Sequence, residues 1–66
     1  MKYIIKHKLF KYYLLTSKWD MIHGIETTTN KYEAEVIDKN NAQSIADIFN
    51  ALDGRINWII VDQKLD

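Results

Sequence analysis

Few residues in this chain could act as nucleophile, base or metal ligand, and they are scattered. Ser17 and Ser44 are the two serines, and a serine nucleophile needs a base within hydrogen-bond reach. Neither sits in a recognisable nucleophile elbow, and Ser44 falls early in a helical pattern, as a polar first-turn residue. His23 can be drawn as an acid–base pair with Asp20 or Glu26, but a histidine near carboxylates in a polar loop reads more simply as a solvated surface pair. Glu33 and Glu35 lie two apart on one strand face, where the simple reading is two solvated carboxylates. His7 and His23 are far apart and there is no cysteine, which argues against a structural zinc site and excludes disulfides. Two isolated glycines, Gly24 and Gly54, cannot build a phosphate-cradling loop. The expectation is a protein without catalytic residues, metal or cofactor, and not an enzyme.

The elements that would position these residues follow from hydrophobic patterning. Residues 3–7 (Tyr-Ile-Ile-Lys-His) and 12–16 (Tyr-Tyr-Leu-Leu-Thr) are β-branched and aromatic and read as a hairpin around Lys8–Lys11. Residues 18–31 are ambiguous: Trp19, Met21, His23 and Ile25 alternate as in a strand, whereas Gly24 and Thr27–Asn30 read as loop. Residues 32–38 restore alternation and predict a strand, with Ala34 and Val36 on one side and Glu33 and Glu35 on the other, a helical turn being the alternative for its first residues. Ala42, Ile45, Ala46, Phe49 and Leu52 recur at helical spacing and form one apolar stripe. Asn40 is a plausible N-cap with Asp38 as its rival, and Gly54 stands where a left-handed residue stops a helix. Residues 56–62 form the last strand.

The predicted order is β-β-(β)-β-α-β. It describes one α+β domain over residues 1–66, a mostly antiparallel sheet of about four strands with the helix on one face. The strands flanking the helix would run parallel if they share the sheet. The longest apolar runs, Tyr12–Leu15 and Trp58–Val61, are four residues each. That is far short of a membrane span or signal core, so a soluble, cytoplasmic protein with no membrane partner is expected.

Charge divides the chain more sharply than any motif. The first 19 residues carry five lysines and no acid, while residues 20–66 carry nine acids against four basic residues. A net charge of zero therefore conceals a dipolar molecule. Lys2, Lys6 and Lys8 share one face of the first strand. With Lys11, Lys18, Tyr12, Tyr13 and Trp19 they interleave cations and aromatics as single-strand nucleic-acid binders do. Against this stand the single arginine and a pI near 6.7, because nucleic-acid domains are usually basic overall.

A second surface follows from apolar area in excess of its cover. Every predicted strand carries adjacent apolar residues, which point to opposite faces of a sheet, and one helix covers only one face. Trp58 and Ile60 are assigned to the helix side. That leaves Ile4, Ile59 and Val61 on the second face, with Trp19 nearby, to be covered by residues 18–30, by a second copy in a homodimer, or by a partner protein.

Lys-Tyr-Ile-Ile-Lys at residues 2–6, Lys-Tyr-Tyr-Leu at 11–14, Ala-Glu-Val-Ile-Asp-Lys at 34–39 and Ala-Gln-Ser-Ile-Ala at 42–46 resemble a pattern common among small accessory proteins encoded by phages of low-GC Gram-positive bacteria. Eight lysines to one arginine, ten isoleucines and five asparagines suit such an AT-rich origin. The resemblance covers about half the chain and is to a class of proteins, so no functional residue carries over. It implies a non-catalytic protein that binds and blocks a host protein complex, for example a defence enzyme such as a CRISPR effector. The alternative is a nucleic-acid-binding module using the lysine hairpin.

Overall fold

A computed structural model of the chain describes residues 2–16, 24–55 and 57–66. They form strands β1 (Tyr3–His7), β2 (Tyr13–Leu14) and β3 (Thr27–Thr28), helix α1 (Lys39–Asp53) and strand β4 (Trp58–Asp62). The sheet is antiparallel throughout, in the order β3-β2-β1-β4, and α1 packs on one face over β4 and β1. The fold is α+β, as the patterning predicts. Among the described residues no helix is long and apolar enough to cross a membrane.

Register assigns the faces. Ile5 pairs with Ile60 and His7 with Trp58, whereas Ile4 pairs with Val61 and Lys6 with Ile59. Directly opposed residues share a face. Ile5, Leu14 and Trp58 therefore meet Ala42, Ala46 and Phe49 under the helix. Ile4 and Val61 lie on the other face with Tyr13 and Ala34. The expected division of β1 and β4 between the two faces is what the structure contains.

Residues 32–38 do not form the expected strand. Residues 31–33 are a turn, Ala34 is buried while Val36 is exposed, and one antiparallel bridge joins Ile37 to Tyr3. The cause is local. Asn30 Oδ1 accepts from the Tyr32 N–H at 3.0 Å, the Asn30 carbonyl accepts from the Glu33 N–H at 3.0 Å, and the Thr28 hydroxyl donates to Glu33 Oε2 at 3.0 Å. Such side-chain bonds give the backbone an alternative to a sheet ladder. Ile37 and β4 lie on opposite sides of β1 and both run antiparallel to it, so they point the same way and α1 crosses β1 between them. The strands that flank α1, β3 and β4, run antiparallel to one another, so the expected parallel pair does not form, and only the single bridge at Ile37 keeps that direction.

The helix begins at Asp38, not Asn40. Asp38 Oδ1 accepts from the Asn41 N–H at 2.9 Å, and its charge opposes the positive end of the helix. Gly54 ends α1 with φ of 71°. Leu52, expected in the buried stripe, is 61% exposed. Asn50 is already level with Trp58, the first residue of β4, so the last turn runs past the sheet and Leu52 has no strand beneath it.

Candidate interaction groove

His7 organises the loop between β1 and β2. Its Nδ1 accepts from the main-chain N–H groups of Leu9 at 3.2 Å and Phe10 at 3.3 Å. The His7 N–H donates to the Tyr12 carbonyl at 2.9 Å, and the Tyr12 N–H to that of Phe10 at 2.9 Å. This folds residues 8–11 into a tight projection without glycine. Phe10 lies nearly parallel to Tyr12, 7° apart with ring centroids at 5.8 Å, and His7 meets Trp58 edge-on at 5.1 Å. Trp58 in turn contacts Phe49 of the core at 5.9 Å.

Residues of the projection and of the overhanging last turn of α1 line one open groove of about 820 Å³. Leu9 and Phe10 line it from the β1–β2 loop, Ile25 from the segment before β3 and Leu52 from α1, together with Trp58 and Phe49. Leu9 is 71% and Phe10 58% exposed, although fully burying such side chains is worth about 1.5–3 kcal/mol each. Lys8 and Lys11 flank Leu9 and Phe10 in sequence and Arg55 is in the lining, all three exposed. The exposed apolar residues come from segments far apart in sequence. Periodicity reports which residues a helix buries and is blind to where the helix overruns the sheet.

The residues expected to form interaction surfaces are dispersed. Ile4 is 0% exposed and so is not available to a partner, while Ile59 and Val61 on the same face are half-buried. Cover comes from two turns bound together: Gln63 Nε2 donates to the Lys31 carbonyl at 3.0 Å and Lys31 Nζ to the Asp66 main-chain oxygen at 2.5 Å. Trp19 and Lys18 lie outside the described residues, as do Ser17, Asp20 and His23.

The lysines do not make one patch. Lys2 is at the far end of β1 from Lys8, and Lys6 is committed to Asp66, its Nζ 2.9 Å from Oδ1. Asp66 Oδ2 also accepts from the Tyr13 hydroxyl at 2.6 Å. The Tyr13 bond first, and Lys6 second, hold the Asp66 carboxyl below the ordinary carboxylate range. The same hydrogen bond, with burial and the negative charge, raises the Tyr13 phenol above its usual value. Lys8, Lys11 and Tyr12 remain together at the groove.

Two polar residues have structural roles that differ from expectation or match it. Asn50, expected on the polar outer face of the helix, reaches β4: its Oδ1 accepts from the N–H groups of Trp58 at 2.9 Å and Asn57 at 3.1 Å, and its Nδ2 donates to the Trp58 carbonyl at 3.1 Å. It stands in for a neighbouring strand at the sheet edge. The Ser44 hydroxyl donates to the Asn40 carbonyl at 3.2 Å, an ordinary helical back-bond. No group of three or more histidine, cysteine or acidic residues able to hold a metal occurs among the described residues. No protein-family model, curated protein or solved structure matches the chain.

Proposed function

We propose that this chain is a small non-catalytic binding protein that acts by occupying the surface of a partner protein through the groove between the β1–β2 loop and the end of α1. The observation that carries the reading is the exposed apolar lining of Leu9, Phe10 and Leu52, together with Trp58 and Phe49. Exposed apolar surface gathered into one concavity and rimmed by polar residues marks interaction sites. The rim of Lys8, Lys11 and Arg55 has the cation-bordered apolar centre found where a protein interface is organised as core and rim. The class resemblance adds the context of a phage or mobile-element accessory protein modulating a host complex, and it supplies no residue.

The test is a paired binding experiment. The full chain and a Phe10→Ser, Leu52→Ser variant are used to recover host proteins, and each candidate is then measured with purified components by calorimetry. Both substituted side chains are more exposed than buried, but Phe10 also stacks on Tyr12, so a thermal melt first establishes that the variant is folded. A partner bound by the wild type and lost by the variant supports the groove. Equal binding by both proteins removes it.

One observation favours the second reading, single-stranded nucleic acid: Phe10 and Tyr12 form a stack flanked by Lys8 and Lys11, the stacking platform such binders use. Lys6 is withdrawn by Asp66 and Lys2 by distance, which leaves a short electrostatic track.

A further inference from the structure

We infer that the groove receives an acidic segment of its partner protein, an aliphatic or aromatic side chain seated between Phe10 and Leu52 with a carboxylate beside it. The inference rests on the proposed function and names the chemistry of the occupant. Among the described residues lining the groove none carries a carboxylate, and His7 and Arg55, which carry side-chain donors, are both in the lining. Nδ1 of His7 accepts two main-chain N–H groups, so the neutral ring carries its hydrogen on Nε2. No described residue takes that hydrogen, and among the described residues no buried side-chain nitrogen or oxygen lacks a partner. The Nε2–H is therefore reachable by solvent, and His7 lines the open groove, so an occupant that displaced water there would have to supply an acceptor.

Charge reinforces the donors. Arg55 lines the groove, and Lys8 and Lys11, exposed, adjoin its lining residues Leu9 and Phe10 in sequence, so an anion seated there meets one cation directly and two close by in the same loop. Arg55 also offsets the negative end of α1, which would otherwise repel an acid. Glu26, exposed beside Ile25, and Asp53, next to Leu52 in the chain, are acids adjoining this region in sequence, and the three cations outnumber these two. A neutral or basic occupant would leave the Nε2–H unpaired and the rim charges unopposed, and buried donors left without acceptors are costly.

The test is selection of a library of random linear 12-residue peptides on the immobilised full chain, with the Phe10→Ser, Leu52→Ser variant as counter-target. The expected result is enrichment of peptides placing aspartate or glutamate next to leucine, isoleucine or phenylalanine. Their affinity should fall at least tenfold for Lys8→Glu, Lys11→Glu, Arg55→Glu and weaken with added salt. Enrichment of apolar peptides without acids overturns the acidic assignment and leaves the groove reading standing. No enrichment over the counter-target overturns both. Tighter binding of a thymidine oligonucleotide than of any selected peptide assigns the groove to nucleic acid and overturns the inference.

Discussion

The Tyr13 hydroxyl donates a 2.6 Å hydrogen bond to Asp66, joining β2 to the turn after β4 across 53 positions of sequence. With Lys6 on the other carboxylate oxygen, this latch draws the turn over the face away from the helix. Its acid and alkaline limits have opposite signs. Asp66 has a lowered pKa in the folded state, so its contribution is full above the unfolded aspartate value of about 4 and is lost as pH falls through the lower folded value. Tyr13 has a raised pKa, so its contribution is full below the unfolded tyrosine value of about 10 and is lost as pH rises through the folded one. Thermal melts across pH should show Asp66→Asn lower at neutrality with a flatter acid limb, and Tyr13→Phe with a flatter alkaline limb. A variant that keeps the wild-type profile would show that the latch adds nothing.

Phe49 and Leu52 share a predicted stripe but not a fate. Phe49→Ala should cost roughly 3–5 kcal/mol, enough to unfold much of a chain this small. Leu52→Ala should change the denaturation midpoint little, because Leu52 is exposed. Equal losses at the two positions in urea titrations would place the last turn of α1 over the sheet.

Asn50 stands in for a missing strand at the edge of β4. Asn50→Ala leaves the Trp58 N–H and carbonyl without this partner, a loss of about 1–3 kcal/mol. Asn50→Asp keeps the acceptor and sets an oxygen against the Trp58 carbonyl in place of the donor, so it should not rescue stability. The opened edge should also raise self-association of the alanine variant, read by light scattering.

Ile4 and Ile59 occupy the same face at different depths. Ile4→Asp buries a carboxylate and should abolish folding. Ile59→Asp places a half-buried acid across from Lys6 and should leave the circular dichroism spectrum native-like. Loss of the spectrum in both variants would make Ile59 core.

Lys8 and Lys11 bound any nucleic-acid contribution from the loop. Two phosphate contacts give a log–log salt slope of about 1.4, at about 0.7 per contact. Binding of a thymidine oligonucleotide should therefore be weak at physiological salt and lose its slope in Lys8→Gln, Lys11→Gln. A steep slope that persists in this variant would mean that other cations carry the contact.

The sequence by itself determined the parts ruled by short-range periodicity. The limits of β1, the buried phase of Ala42, Ala46 and Phe49, the stop at Gly54, and the assignment of Ile5, Trp58 and Ile60 to one face and of Ile4, Ile59 and Val61 to the other all follow from periods of 2 and 3.6. Residues 32–38 mark where that reasoning ends, because alternation was outweighed by the bonds of Asn30 and Thr28, which periodicity does not count. Only the tertiary structure decided what covers the second face, why Lys6 is not a free cation, that Asn50 serves the sheet edge, and that Phe10 and Leu52 line the same groove. Each depends on which distant segments meet and where a helix of fixed length ends relative to the strand beneath it. That is set by packing of the whole chain and by no local run of residues.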